Sequence, residues 1–350
     1  MQVKTIELNN YRNYNNVLVN FNNGLNVLVG KNAQGKSPRV SKDKDLINWQ
    51  KATANIKIDV VKQSGKKHIE IYLFKNQNKS IKINGVPILR ISELLGEINA
   101  IYFSPDDLKL VKESPEERRR FMDIDLSQFN KNYFYALNNY NKVLQQRNKL
   151  IKTSGSLSVL KETIEIWNES LAKFGAYIIV KRQQLIEKLT KHASHYEKFL
   201  TEGLEDISLT YSCPEGTEDT IKQSLLTSLK NSVEKDYSLG YTTVGPHRDD
   251  FKIEVNGIDI RHFGSQGQQR TATLSLKLAE LEVFKEHFNE CPVLLLDDVL
   301  SELDVKRKEM LLNLSVNFQT ILTCTEFNFN VPHTKFEINS GEIIKTEENV

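Results

Sequence analysis

Cysteine is scarce in this chain: Cys213, Cys291 and Cys324 are the only three in 350 residues, and none belongs to a C-x-x-C pair. That spacing excludes a zinc ribbon. It points to a reducing compartment, where isolated thiols serve as small core residues. Long apolar runs are also missing, since none reaches the roughly 18 residues of a spanning helix. Met1 to Asn10 has no apolar core of a secretory leader, so no export signal and a cytoplasmic location are expected. Neither sign of charge dominates: 47 Lys+Arg against 45 Asp+Glu leave a net charge of +2. A polycation is thereby excluded, and any nucleic acid must meet local basic patches. Disorder is not indicated either, because 39% hydrophobic and 26% charged residues are ordinary for a globular protein.

What is present divides into three parts: 1–125, 126–203 and 204–350. The first reads mostly as strands. Val3 to Leu8 alternates, Leu25 to Val29 is a short apolar run ending at Gly30, and Ile56–Val60 and His68–Phe74 follow. Ile81–Ile83 runs into Asn84-Gly85, a hairpin signal, and Ile98 to Phe103 reads as a buried strand. The middle part is helical. Apolar residues fall at Tyr133, Leu137, Tyr140, Leu144 and Ile151. After Ser154-Gly155-Ser156 they resume at Leu160, Ile164, Trp167, Leu171, Phe174, Ile178 and Leu185. Steps of four and three fit a coiled-coil seam or an amphipathic lobe, so the pattern predicts a helical arm or lobe. In the last part, Asp250–Val255, Val293–Leu296 and Ile321–Thr323 read as strands, with helices over 266–288 and near Val305 to Leu314. The fold class expected is α/β, a head of mixed sheets and helices split by a helical insertion.

Three motifs carry chemistry. Gly30-Lys31-Asn32-Ala33-Gln34-Gly35-Lys36-Ser37 fits G-x-x-x-x-G-K-[ST] after a strand. Its amides would cradle ATP phosphates, Lys36 would reach the β and γ groups, and Ser37 would hold Mg²⁺. The plainer alternative is a glycine-containing turn with a solvated lysine. Val293 to Asp298 gives a buried strand that delivers Asp297 to the metal, with Asp298 placed to polarise the attacking water as the catalytic carboxylate. Ser265-Gln266-Gly267-Gln268-Gln269-Arg270 opens a helix, and Ser265, Gly267 and Gln268 form a second phosphate nest. A capped helix start is the bland alternative. The order of these motifs resembles ABC ATPases, in which the signature element contacts nucleotide held by a second subunit. Ser301 to Asp304 stands at the spacing of their D-loop.

The chain as a whole resembles the RecF family of bacterial DNA-repair ATPases, with an ABC/SMC-type P-loop head. The residues that carry the resemblance are Glu7 to Tyr14, Phe103 to Leu108, Ser114 to Phe121, Gly245 to Asp250, and Gly264 to Asp304. It implies a weak DNA-dependent ATPase that forms an ATP-dependent homodimer. It also implies binding to DNA at single-strand gaps and duplex junctions, with RecO and RecR as partners in loading RecA. For DNA the clustered cations are Lys62, Lys66, Lys67 and Arg118, Arg119 and Arg120. Solvated strand faces are the alternative for the lysines, and a helix pinned through Glu116 and Asp123 for the arginines.

The sequence departs from the family after the P-loop. A helix should begin at Lys36 and pack on the preceding strand. Here Ser37 is followed by Pro38-Arg39-Val40-Ser41-Lys42-Asp43-Lys44-Asp45, which has no apolar helical face. Pro38 also steers Ser37 away from helical geometry. The stretch reads as if about 11–12 residues or more, a mean helix, were removed. The expectations are coil or a strained turn over Ser37 to Asp45, a gap beside Val27 and Val29, and impaired ATP use. Two other readings stand beside this one. One is a nucleotide-dead DNA-binding scaffold with the same fold. The other is the ATPase subunit of another ABC-type machine, against which the long helical insertion counts.

Overall fold

The computed structural model describes residues 1–30, 42–339 and 341–349. The chain runs through β1 (Gln2–Tyr11), β2 (Tyr14–Asn20), β3 (Leu25–Val29), β4 (Thr53–Lys62), β5 (Gly65–Phe74), β6 (Ser80–Ile83), β7 (Val86–Pro87) and β8 (Ala100–Phe103). Helices α1 (Lys109–Lys112), α2 (Pro115–Phe129), α3 (Lys131–Thr153), α4 (Leu157–Thr163) and α5 (Glu165–Leu200) follow. Next come β9 (Ile207–Ser212), α6 (Glu218–Asn231), α7 (Val233–Leu239), β10 (Asp250–Val255), β11 (Ile258–Asp259), α8 (Ile260–Phe263) and α9 (Gln266–Phe288). The chain closes with β12 (Val293–Asp297), α10 (Val305–Ser315), β13 (Thr320–Cys324), β14 (His333–Asn339) and β15 (Glu342–Asn349). The strands expected at Leu25–Val29 and Asp250–Val255 and the helix over 266–288 are present at those bounds.

Two compact units result, Met1–Asp107 with Glu280–Val350, and Leu108–Ala279. The boundaries expected at 125 and 203 fall inside the second unit. The physical reason is that α2 packs on α3 and β10, while α5 packs on β9, so neighbouring elements join the helical part.

The first unit holds two six-stranded sheets. One is antiparallel in the order β2-β1-β4-β5-β6-β7; the other has the order β15-β14-β3-β13-β12-β8. In the second, β14, β3, β13, β12 and β8 run parallel, and β15 closes the edge antiparallel. Apolar faces of both sheets meet in a core of Val3, Val17, Val19, Phe21, Val60, Val293 and Phe336. Buried Gln319 ties them: its Oε1 accepts from Val3 N at 2.7 Å and its Nε2 donates to Val3 O at 2.6 Å. Val27 is 0% exposed, so the gap expected beside it is not there; Val29, like Leu28, keeps partial exposure. β3 is an interior strand, its backbone paired with β13 on one flank and β14 on the other. Of the stretch Ser37 to Asp45, only 42–45 are described, and Asp43–Leu46 is a single 3-10 turn.

In the second unit, the choice between arm and lobe resolves to a lobe. Helix α5 buries Leu171 and Ala172, Gly175 and Ala176, Ile178 and Ile179, and Leu185 and Ile186. Adjacent pairs make a stripe too wide for one coiled-coil seam. It packs on α3, α6 and β9, the last belonging to a three-stranded sheet ordered β11-β10-β9. Polar groups are buried here too. Arg147 of α3 and Asp236 of α7 are both 0% exposed and paired at 2.7 Å. Arg147 Nε also donates to Asn168 Oδ1 at 2.9 Å, and its Nη1 to Thr242 Oγ1 at 2.8 Å. Asp236 Oδ1 accepts from the amide and hydroxyl of Thr243. A buried charge stripped of its partner keeps its desolvation cost. Asp236→Ala is therefore expected to destabilise the second unit by about 3–5 kcal/mol, and a paired Arg147→Met/Asp236→Leu replacement by less. Urea unfolding of the full chain, followed by circular dichroism, measures both.

Candidate nucleotide-binding site and DNA interface

The parallel register of the second sheet decides which residues meet. Asp297 at the end of β12 pairs with Thr323 of β13, and Cys324 pairs with Val29 of β3. Gly30 N then donates to Cys324 O at 3.2 Å, and Asp298 N to Thr323 O at 3.1 Å. The carboxyl ends of β3, β13 and β12 thus bring Gly30, Asp297 and Asp298 to one edge. Ligands of parallel α/β sheets bind at that edge, beyond the strand ends. The other P-loop positions singled out, Lys31, Asn32, Ala33, Gln34, Gly35, Lys36 and Ser37, lie outside the described residues.

Asp297 is oriented by two hydroxyls. Tyr102 Oη donates to Oδ2 at 2.8 Å and Thr323 Oγ1 to Oδ1 at 2.6 Å. Burial and the Asp297 charge push the Tyr102 phenol far above its usual range, so it remains a donor. Asp298 takes a left-handed backbone with φ 59, a conformation that Asp tolerates better than most residues. Its charge, after burial, helps push the Cys324 thiol up to about 12. Among the described residues no group of three or more His, Cys, Asp or Glu could hold a metal. A Mg²⁺ here would therefore rest on Asp297 together with phosphate oxygens and water, the donor set that this ion prefers. On that count the carboxylate edge fits Mg²⁺–ATP. Sequence reading did not reveal Tyr102 or Thr323. Both lie on expected strands, but only the register makes them neighbours of Asp297.

The signature element is in the second unit. Ser265 Oγ accepts from Gln268 N at 3.2 Å, while Gln268 Oε1 accepts from Ser265 N at 2.9 Å. This reciprocal pair is a capping box. Gln268 Nε2 is clamped by Glu205 Oε1 at 2.9 Å. Ser265 and Gly267 are exposed. A Cβ on Gly267 would touch nothing nearer than Ser265 Oγ at 3.8 Å, so packing within the chain does not demand a glycine there.

The arginine run divides by role. Arg118 is 3% exposed and grips Asp250 with Nε at 2.7 Å and Nη2 at 2.9 Å. Its Nη1 goes to Leu110 O and Glu113 O. Arg119 Nη1 donates to Asp249 O at 2.7 Å. The donors of Arg118 are thus engaged inside the unit, and Arg120 is the exposed member of the run. Lys62 donates to Gly96 O and Lys67 pairs with Glu97, whereas Lys66 is exposed.

The stretch Gly245 to Asp250 is the partner of that arginine run. Gly245 has φ 127, and a Cβ there would sit 2.3 Å from Tyr140 Oη, so no other residue fits. Pro246 O accepts from Arg182 Nη1 at 2.7 Å, and Asp249 Oδ2 from Tyr211 Oη at 2.6 Å. His247 Nδ1 is 2.7 Å from Tyr140 Oη and its Nε2 3.1 Å from Thr242 O. A neutral ring satisfies both, donating from Nε2 and accepting at Nδ1.

Among proteins of known name, the chain is 42% identical over 366 residues to the DNA replication and repair protein RecF of Clostridium acetobutylicum, covering 98% of this chain and 99% of that one. The chain belongs to the RecF family. RecF of Clostridium beijerinckii is 41% identical over an alignment of 370 residues that covers the whole of both chains. Since this chain has 350 residues, that alignment holds at least 20 positions which the chain lacks. A solved structure of the recombination mediator protein RecF with ATPrS, from the RecFOR pathway, superposes with a TM-score of 0.90. It is 35% identical and matches over 98% of this chain and 97% of that chain. An Smc head bound to the C-winged helix domain of ScpA shares the fold alone, at TM-score 0.58 and 17% identity. No family model matches the chain. Among the described residues no helix is long and apolar enough to cross a membrane.

Burial lowers the His247 pKa to about 4. The unfolded ring titrates near its ordinary value of about 6.5. The folded state therefore binds fewer protons between those values. His247 contributes stability that is full above about pH 6.5 and is lost as pH falls towards about 4, by at most roughly 3 kcal/mol. Asp249, whose carboxyl burial raises, works in the opposite direction. Stability–pH curves of wild type and His247→Gln are expected to differ in slope across that window, the variant being flatter.

Proposed function

We propose that this chain is a DNA replication and repair protein of RecF type. In this reading it binds DNA at single-strand gaps and duplex junctions and works in the cytoplasm with RecO and RecR to load RecA. The observation that supports it most is the whole-length match to RecF proteins at 42% identity, with Asp297 and the signature element in place. The exposed Gly267, which no internal contact requires, suits close approach by a nucleotide held in a second copy, and so an ATP-dependent homodimer. Bound Mg²⁺–ATP would supply the phosphate to be split and the charge that draws two heads together. Gly30, Lys36, Ser37 and Asp297 would hold it, and Asp298 would orient the water. Exposed Arg120 and Lys66 are the members of the basic clusters open to phosphates.

ATP use is impaired in this chain. No amphipathic helix can be written after Lys36, and the 370-residue alignment with a 350-residue chain fits a missing segment. Converging amides at a helix N-terminus are what make a P-loop grip phosphate. The nucleotide-dead DNA-binding scaffold is the reading that this one feature favours.

Equilibrium dialysis separates the two. The unmodified chain is expected to bind ATP weakly or not at all. A version with an amphipathic helix inserted after Lys36 should bind Mg²⁺–ATP and dimerise with it, and Gln268→Ala should weaken that dimer without unfolding the monomer. Tight Mg²⁺-dependent binding by the unmodified chain would show that the loop works as it stands. DNA affinity should fall steeply with salt, and Arg120→Ala should lower the slope of log affinity against log salt by about 1. Salt-independent binding would remove the phosphate contacts from the proposal.

A further inference from the structure

The turn from Ile47 to Lys51 presents Trp49, a residue 91% exposed. Tryptophan is highly buried on average, and when an interface covers it, it is among the strongest anchors. Its backbone is held firmly. Ile47 packs in a small core with Ala54 and Leu73, Asn48 N donates to Asn10 O at 2.8 Å, and Lys51 N to Asn48 O at 2.9 Å. Lys75 Nζ caps the turn by donating to Trp49 O at 2.9 Å. The indole therefore stands out from a fixed corner of the antiparallel sheet.

Among the described residues, the exposed chain beside this turn is polar and basic. Lys44, Lys51, Lys75 and Lys79 are exposed here, against Asp43 and Asp45, and Asp43 is paired with Lys79 at 3.1 Å. Asn76, Gln77 and Asn78 fill the neighbouring loop. A hydrophobic protein partner would call for apolar neighbours around the ring, and these residues supply cations and amides instead.

We propose that this corner is a subsite for single-stranded DNA, in which Trp49 stacks on one base while Lys51 and Lys75 meet the flanking phosphates. Stacking needs an open base face, which an unpaired strand offers and a duplex hides. Lysines beside the ring add the counterion-release term common to nucleic-acid grooves. The subsite rests on the DNA-repair reading above and gives it a means of telling the unpaired part of a gap from its duplex flank. It uses neither ATP nor the signature element.

The chain has two tryptophans, so the full-length Trp167→Phe variant leaves Trp49 as the only indole reporter. Titration with oligo(dT) is expected to quench its fluorescence. Trp49→Ala should weaken oligo(dT) binding by roughly 5- to 150-fold, equivalent to about 1–3 kcal/mol for one stacked base, while Trp49→Phe keeps most of the affinity. Binding of a blunt duplex, followed by anisotropy, should be unchanged in both variants. An unquenched Trp49 with full oligo(dT) affinity in Trp49→Ala overturns the subsite and leaves the DNA-repair reading intact. An equal loss of duplex and oligo(dT) binding in Trp49→Ala also overturns it, since stacking cannot act on a closed helix. Failure of the parent chain to bind either DNA counts against the DNA-repair reading itself, and the subsite falls with it.

Discussion

The pairing of β12 with β13 and of β13 with β3 is the constraint on which the nucleotide edge depends. Three short strands with no side chain in common bring Gly30, Asp297 and Asp298 together because their parallel ladders share one register. A shift of one residue would turn every side chain to the opposite face of the sheet. Thr323 would then leave Asp297, and Cys324 O would leave Gly30 N. The two hydroxyls on Asp297 come from the strands on either side of it, so the carboxylate is aimed by the sheet rather than by its own loop. That aim comes from β8 and β13 alone and draws on no residue of the loop after Gly30.

The lobe follows a different design. Its core carries Arg147, Asp236, Asn168, Arg182 and Thr242, all buried, where apolar packing would have cost less desolvation. What the polar groups add is direction. Arg118, Arg119 and Arg182 each reach the segment Gly245–Asp250 from a helix, through a carboxylate or a carbonyl, and Gly245 leaves room for Tyr140. Ser114 to Phe121 and Gly245 to Asp250, two of the stretches on which the resemblance rests, are thus the two halves of one joint. Their contacts fix geometry inside the lobe, and Arg120 is the arginine of the run left exposed.

Much of this was legible in the chain itself. Alternation at Val3 to Leu8, the apolar runs at Leu25 and Val293, and the Asn84-Gly85 turn mark elements whose period and turn chemistry are local properties. Ser265 and Gln268 three residues apart announce a capped helix in the same way. The boundaries of the units were less legible. Period alone cannot say whether α2 sides with the strands before it or the helices after it, and the wide apolar face of α5 is one that a lobe and an arm share in part.

By itself the sequence determined the fold class, the order of its motifs, the RecF resemblance and the lack of a helical face after Ser37, since all of these are carried by residue type and spacing along one dimension. Only the tertiary structure decided that Tyr102 and Thr323 aim Asp297, that Arg118 is spent on Asp250 while Arg120 is free to meet solvent, and that Trp49 stands exposed among lysines. Those facts depend on which strands become neighbours and in what register. Tyr102 and Asp297 are 195 positions apart, and no local pattern encodes such a pairing.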